Sequence, residues 1–290
     1  MFDQPPAIPT FPTQTVTTTS GKRLEAFVGD TITEQILRRG EYDGLALQSL
    51  RDVLACLRPR TSLDVGANIG NHAVVIGEQS ARIVAFEPIP AVFALLDRNL
   101  QNNLGPRGQA FNLALSDCRA ELAIAVARSG NLGSSSLESV SGEQFAQTIQ
   151  AVVGDDFLAE QGMADVDFIK IDVEGHEAKA LLGLQRTIAR DQPLIILEWR
   201  HQKTIADFRQ QNLFDALLPG YQALALVELA SKKLYPRTLL GRLQRLHRRL
   251  RKPRWCLSDF RPERKFSNVY LVPARYQELF RSFAHRPLAD

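Results

Sequence analysis

The chain has 290 residues, of which 44% are hydrophobic and 23% charged, and a net charge of +3, an ordinary composition for a globular protein with a buried core. No apolar run is long enough to span a bilayer, and the N-terminal residues lack the basic and apolar regions of a signal peptide. The three cysteines are odd in number and far apart, which indicates neither a disulfide framework nor a zinc site. We therefore expect reduced thiols and a cytoplasmic location.

Residues 1–42 are expected to form a Pro-rich arm, a β-hairpin of Thr13–Thr19 and Arg23–Val28, and a helix at Ile32–Arg39. Residues 43–290 form one larger domain, in which strands and helices alternate. The predicted helices are Leu45–Leu57, Asn71–Glu78, Pro90–Asn102, Phe145–Ile149, Asp155–Gln161, Ala178–Arg190 and Ile205–Leu217. The predicted strands are Ser62–Val65, Arg82–Phe86, Gln109–Leu115, Glu121–Val126, Val166–Ile171, Pro193–Leu197, Tyr221–Glu228 and Ser267–Val272.

Most of these strands are apolar on both faces, which is typical of a parallel sheet covered by helices on both sides. The sequence therefore predicts an α/β fold with about seven core strands. The last two strands, Tyr221–Glu228 and Ser267–Val272, are expected to form an antiparallel edge.

A basic insertion, residues 229–262, precedes the last strand. Its segment Lys232–Arg254 carries ten basic residues and no acidic one, whereas the rest of the chain has a net charge of −7. Leucines at helical spacing predict an amphipathic helix at Thr238–Arg251. This helix either packs on the fold with a solvated face, or contacts an anionic acceptor, or lies peripherally on an anionic membrane with Trp255 as an anchor. No interleaving of aromatic and basic residues indicates a nucleic-acid partner.

The stretch Ser62–Asn71, SLDVGANIGN, predicts a strand, a glycine turn and a helix, an arrangement that places ligands at the carboxyl end of a parallel sheet. A dinucleotide site needs a middle glycine, but Asn68 occupies that position. Asp64 would repel a pyrophosphate and attract a cationic ligand. Glu87, which ends the next strand, suits the ribose hydroxyls of an adenosine ligand. Together these features favour S-adenosylmethionine, which has an ammonium, a sulfonium and no phosphate.

The order LDVGANIGNHA, FEP, NLALSD, a Gly/Ser loop, DFIKIDVEGHE and ILEW resembles the FkbM-type methyltransferases. The resemblance covers about Asp43 to Trp199, with a weaker match at Asn268–Pro273. It implies a class I methyltransferase sheet and S-adenosylmethionine-dependent O-methylation of a hydroxyl on a sugar, glycan or other natural-product acceptor. An NAD(P)-dependent oxidoreductase on a Rossmann sheet and a catalytically inactive binding module are the alternatives.

The resemblance implies a cofactor site formed by Asp64, Gly66, Asn68, Gly70, Glu87, Ser116, Asp117 and Asp172. In it, Asp64 lies beneath the turn around the methionine part of the cofactor, and Glu87 binds the ribose. Ser116 and Asp117 would hold the adenine amino group. Asp172 would lie beside the sulfonium and the acceptor.

Asp172, Glu174 and His176 are the predicted catalytic residues, because alternate residues of an extended stretch share one side, unless Gly175 introduces a turn. A neutral histidine beside carboxylates can deprotonate an acceptor hydroxyl. The same three side chains suit a divalent metal, but we expect none, since a base suffices. Two further features stay open. The loop Ser129–Ser136 is either a lid or a surface loop, and Glu198, Trp199 and His201 either line the acceptor pocket or, for Trp199, pack in the core.

Overall fold

The computed structural model describes residues 11–127, 144–231, 234 and 254–288. The predicted loop Ser129–Ser136 and the predicted helix Thr238–Arg251 lie outside the described residues. Within the described ranges, none of the helices combines the length and the apolar character needed to cross a membrane.

The hairpin and the alternating elements predicted from the sequence are present. The strands are β1 (Thr13–Thr17), β2 (Arg23–Phe27), β3 (Thr61–Val65), β4 (Arg82–Phe86), β5 (Gly108–Phe111), β6 (Ala114–Ser116), β7 (Ala120–Ala127), β8 (Gln144–Val153), β9 (Val166–Ile171), β10 (Leu194–Trp199), β11 (Gln222–Glu228), β12 (Trp255–Asp259) and β13 (Phe266–Val272). The helices are α1 (Thr31–Arg39), α2 (Gly44–Leu57), α3 (Asn71–Gln79), α4 (Pro90–Leu104), α5 (Gly154–Glu160), α6 (Glu177–Leu182), α7 (Gln185–Asp191), α8 (Gln202–Gln210), α9 (Leu213–Leu217) and α10 (Gln277–Arg281).

The central sheet has the strand order β12-β11-β13-β10-β9-β3-β4-β5. Strands β10, β9, β3, β4 and β5 are mutually parallel, and β13 runs antiparallel between β10 and β11. Two buried apolar clusters cover its two faces, one with residues of α2, α3 and α4 and the other with residues of α5, α6, α7 and α8. The predicted α/β fold with a mostly parallel sheet is therefore confirmed.

The far end of the sheet is antiparallel, as predicted, because β11 and β13 pair in antiparallel register, but it has one more strand than expected. The antiparallel strand β13 is internal, and the edge is β12, which the sequence placed inside the basic insertion. Strand β12 forms because Trp255, Cys256, Leu257 and Ser258 are all buried. Trp255 is 2% exposed, and its indole Nε1 donates a hydrogen bond to Asp52 Oδ2 at 2.7 Å, so the suggestion that it anchors a membrane helix is wrong.

A second sheet, β6-β8-β7, lies beside the first. The predicted helix Phe145–Ile149 is wrong, because these residues belong to β8. Here Ile149 and Ala151 are buried while Thr148 and Gln150 are exposed, which is the period of two that a half-buried strand shows. The stretch Gln109–Leu115, predicted as one strand, is divided between β5 and β6, one in each sheet.

Asn99 of α4 connects the N-terminal hairpin to the loop after β3. Its buried amide Nδ2 donates to the carbonyl oxygens of Glu25 (2.9 Å) and Ile69 (2.8 Å), and its Oδ1 accepts from the Glu25 N–H (2.7 Å). One side chain thus satisfies backbone groups of two segments that are 44 positions apart in the chain. Such a residue cannot be replaced by an apolar one without leaving buried polar groups unpaired.

We expect Asn99→Ala to lower the free energy of unfolding by about 2–4 kcal/mol, since it leaves up to three backbone groups without a partner. Chemical denaturation monitored by circular dichroism measures this loss. The matched control is Asn102→Ala, on an exposed position of the same helix, for which a change within about 0.5 kcal/mol is expected. Equal effects of the two substitutions would contradict the connecting role of Asn99.

Candidate cofactor and acceptor site

A cleft opens at the carboxyl ends of β3, β4, β9 and β10. Its floor and rim come from the segments that follow these strands: Val65–Asn68, Glu87–Ile89 and Asp172–Glu174, with Glu198 and Arg200. The second sheet adds an apolar wall of Leu115, Leu122, Ile124 and Ile149. This wall was not foreseen, because nothing in the local sequence shows that β7 and β8 fold over the end of the larger sheet.

The glycine turn after β3 is held by close backbone contacts. The N–H groups of Gly66 and Ala67 both donate to the Phe86 carbonyl oxygen, at 3.0 and 2.9 Å. Gly66 has a φ of +79°, and a Cβ atom there would lie 2.0 Å from the Asp172 carbonyl oxygen. Only glycine therefore allows β3 and β9 to end this close together.

Glu87 lies against this turn, as the sequence predicted. Its Oε2 accepts from the N–H of Asn68 at 3.0 Å, and its Oε1 accepts from the N–H of Ile89 at 2.9 Å. Burial raises the pKa of Glu87 to about 7, although both hydrogen bonds act to lower it. Each carboxylate oxygen has a second lone pair and can accept a further hydrogen bond from a ligand hydroxyl in the cleft.

Asp64 and Asp172 are joined by a lysine that the sequence analysis missed. Lys170 Nζ lies 3.1 Å from Asp172 Oδ2 and 3.5 Å from Asp64 Oδ1, and its side chain is 4% exposed. Asp64 is fully buried beneath the turn, and neither of its carboxylate oxygens accepts a hydrogen bond from the described residues. The sequence did contain a signal for this ion pair. Lys170 lies in the otherwise apolar strand VDFIKI, and lysine is almost never buried without a partner.

This ion-pair arrangement keeps Lys170 and Asp172 in their charged states. Burial acts to lower the pKa of Lys170, but Asp172 and Asp64 raise it above the usual lysine value. Burial likewise acts to raise the pKa of Asp172, but Lys170 holds it below the usual range. Asp172 is therefore an ionised carboxylate, and 30% of its side chain is accessible at the cleft.

The chain after Asp172 turns instead of continuing as a strand. Glu174 has a φ of +51° and Gly175 a φ of +98°, so the expectation that residues 172, 174 and 176 share one extended side is wrong. The turn directs Glu174 towards β10 and α8. There its Oε2 lies 2.8 Å from His201 Nε2, and Glu198 Oε2 lies 3.3 Å from the same nitrogen.

The predicted catalytic residue His176 borders the cleft, but its Nε2 lies 3.0 Å from Ser116 Oγ. Burial lowers the pKa of His176 to about 4, so the imidazole is neutral at pH 7 and is a weak base. Ser116 is buried and Asp117 is exposed, and neither residue borders the cleft. Their contact with an adenine amino group stays a prediction.

Trp199 packs in the core and does not line the cleft. It is 1% exposed, and its ring packs against the rings of Phe208, Phe214 and Phe260. Its neighbour Glu198 points to the cleft instead, where burial, followed by the charge of Asp172, raises the pKa of Glu198 to about 7. The neighbouring carboxylate of Glu198 raises the pKa of His201 to about 9.

The cleft is predominantly acidic. Among the described residues, Asp43, Glu87, Asp172, Glu174 and Glu198 border it, whereas its lysine and arginine side chains are Lys170 and Arg200. A cleft with this excess of carboxylates favours a cationic ligand and disfavours a pyrophosphate.

Comparison with known proteins gave three informative matches. A family model described as "Methyltransferase FkbM domain" matches residues 64–221. A hexuronic acid methyltransferase, AglP of Haloferax volcanii, is 30% identical over 127 residues, which are 43% of this chain and 50% of that protein. A solved methyltransferase FkbM from Methylobacillus flagellatus is 18% identical with a TM-score of 0.42, and the match covers 74% of this chain and 44% of that one. The chain thus spans half or less of the length of these two proteins.

We expect Gly66→Ala to lower the free energy of unfolding by about 3 kcal/mol or more, because its Cβ would collide with the Asp172 carbonyl oxygen. The matched control is Gly220→Ala. Gly220 also has a φ of +79°, but no atom lies within 4 Å of its added Cβ, so it reports the backbone strain alone. Denaturation curves of both variants check this, and a Gly66→Ala loss no larger than that of the control would contradict the contact.

Proposed function

The chain belongs to the FkbM methyltransferase family, whose model matches more than half of it, and from this premise we propose that it is an S-adenosylmethionine-dependent methyltransferase. We propose further that it methylates a hydroxyl oxygen of a sugar or another natural-product acceptor. The observation that carries the proposal is the acidic cleft at the carboxyl ends of the parallel strands, with the Gly66 turn and Glu87 side by side on its floor.

The residues of the cleft fit this cofactor. The glycine turn allows a ligand to approach the backbone closely, and Glu87 offers two acceptor oxygens for ribose hydroxyls. The apolar wall of Leu115, Leu122, Ile124 and Ile149 suits an adenine ring. The acidic side chains that border the cleft suit the ammonium and sulfonium charges of the cofactor. Asp64, buried beneath the turn, offsets part of the positive charge of Lys170. When bound, S-adenosylmethionine supplies a methyl group on a sulfonium that leaves as a thioether.

Asp172 is the residue best placed to act on the acceptor. Lys170 keeps it ionised, so Asp172 can accept a hydrogen bond from an acceptor hydroxyl and orient the attacking lone pair. Positioning of this kind can contribute up to about 7–11 kcal/mol, whereas a general base contributes about 10²–10⁴-fold. The geometry favours Asp172 over His176, because the Asp172 carboxylate is accessible in the cleft whereas the Nε2 of His176 is engaged by Ser116.

A sugar acceptor is supported by the name of the relative from Haloferax volcanii, a hexuronic acid methyltransferase. Arg200 lies at the rim of the cleft with its side chain 56% exposed, where a guanidinium could pair with a carboxylate on such a sugar. Uronic acid glycosides are therefore the first acceptors to test, alongside neutral sugars and polyketide alcohols.

We expect isothermal titration calorimetry to show saturable binding of S-adenosylhomocysteine and no binding of NADH, because the turn lacks the glycine that a pyrophosphate needs. Transfer of a labelled methyl group from S-adenosylmethionine to an acceptor panel then tests catalysis. Asp172→Asn should lower turnover at saturating acceptor while the affinity for S-adenosylhomocysteine changes less than threefold. Tight NADH binding without a response to S-adenosylhomocysteine would overturn the proposal.

The pKa of Glu87, about 7, predicts a pH-dependent cofactor affinity. Only the ionised carboxylate accepts from both ribose hydroxyls, so below pH 7 binding must first displace a proton. We expect the affinity for S-adenosylhomocysteine to fall by up to about tenfold per pH unit as the pH drops below 7.

Glu87→Gln removes the titrating group and should flatten this pH profile, with a loss at pH 8 of about 1.5–3 kcal/mol of binding free energy. Glu278→Gln, whose side chain is 82% exposed, is the control and should leave the profile unchanged. Titration calorimetry between pH 5.5 and 8.5 measures both variants. An unchanged slope in Glu87→Gln would remove Glu87 from the cofactor site.

A further inference from the structure

Three side chains from different segments meet beside the cleft: Glu174, Glu198 and His201. Their nearest ligand atoms, two carboxylate oxygens and one imidazole nitrogen, all lie within 4.8 Å of one another. His201 Nε2 lies between the two carboxylates, 2.8 Å from Glu174 Oε2 and 3.3 Å from Glu198 Oε2. The predicted catalytic residues Asp172, Glu174 and His176 do not meet in this way, since His176 is turned towards Ser116.

The burial and hydrogen bonding of Glu198 are a second, independent observation that points to a cation. Glu198 is 9% exposed, and its Oε2 is buried without accepting a hydrogen bond from the described part of the chain. The neighbouring His201 Nε2 approaches it at 3.3 Å but does not form a hydrogen bond of good geometry. Arg200 Nε lies 3.5 Å from the other oxygen, Oε1. A buried carboxylate oxygen that accepts no hydrogen bond is costly, and a bound cation would remove that cost.

We propose that Glu174, Glu198 and His201 bind a divalent metal ion. Two carboxylate oxygens with one imidazole nitrogen form a mixed ligand set that suits first-row ions, of which Mn²⁺ best matches the majority of oxygen ligands. The proposal departs from the metal-free site expected from the sequence, which had considered a metal only at Asp172, Glu174 and His176.

The fold holds the three ligands in place before an ion binds. Glu198 is the penultimate residue of the buried strand β10, and His201 is the N-terminal cap of α8. Glu174 belongs to a turn that Glu177 fixes, because Glu177 Oε1 accepts from the N–H groups of Val173 (3.2 Å) and Gly175 (3.1 Å). Thr204 of α8 donates to the other oxygen of Glu177, which ties this turn to the helix that carries His201.

The ion would bind the acceptor of the proposed methyl transfer, and this part of the inference rests on that proposed function. Three protein ligands leave coordination positions open, and Glu174 and Glu198 border the same cleft as Asp172. An acceptor with two neighbouring oxygens, such as a sugar diol or a hydroxy acid, could occupy those positions and present one hydroxyl to Asp172. The ion thus selects for acceptors that chelate.

The test is a titration of the full chain, first stripped with EDTA and desalted, with MnCl₂ in the absence of cofactor. Free Mn²⁺ is followed by its electron paramagnetic resonance signal. We expect one equivalent to bind, with the affinity reduced at least tenfold in Glu198→Gln and in His201→Ala. The matched control His285→Ala, whose side chain is 45% exposed, should bind like the parent chain.

Glu174→Gln is the third variant, because its side chain is 32% exposed and its replacement disturbs the core least. Saturable Zn²⁺ binding that the same substitutions abolish would support the site equally. Absence of saturable binding of either ion, or affinities unchanged in all three variants, would overturn it. S-adenosylhomocysteine titrations of the same samples separate the two proposals, since metal binding without cofactor binding contradicts only the proposed function.

Discussion

The ion-pair arrangement of Asp64, Lys170 and Asp172 is the interaction on which the site depends. Two acidic residues end neighbouring parallel strands, and Lys170 is the buried cation that lies within ion-pair distance of both. Removing one member of such a buried arrangement leaves an uncompensated charge, which typically costs more than the arrangement contributes to stability. The same lysine leaves Asp172 ionised at the surface of the cleft while Asp64 stays fully covered. Lys170 thus contributes both to the stability of the two strand ends and to the electrostatics of the cleft.

The sequence predicted the parts of the molecule whose signals are local. The Gly66 turn and Glu87 were foreseen because a strand, a glycine turn and an acid at the next strand end leave a pattern in a short stretch. The alternating elements, the parallel sheet and the hairpin were foreseen for the same reason. The contact between the backbone N–H of Asn68 and Glu87 was not predicted, although both residues were expected in the cofactor site.

What the sequence did not predict depends on contacts between distant segments. Strand β12 was hidden by the basic residues that precede it, and β8 by a mixture of polar and apolar residues that also suits a helix. The grouping of Glu198 and His201 with Glu174 requires the turn at Gly175, whose geometry is set by Glu177 and Thr204. Ser116 was correctly located at the end of a strand, but that strand belongs to the second sheet and its side chain meets His176.

The position of β13 has a consequence for the order in which the chain is completed. It is the last strand in the sequence, yet it lies between β10 and β11, and Ser267 and Asn268 form part of the cleft. During synthesis, one edge of β10 therefore keeps unpaired backbone N–H and C=O groups until residues 266–272 have left the ribosome. An unpaired strand edge of this kind can pair with another chain. The cleft is complete only after β13 has been added to the sheet, because Ser267 and Asn268 border it.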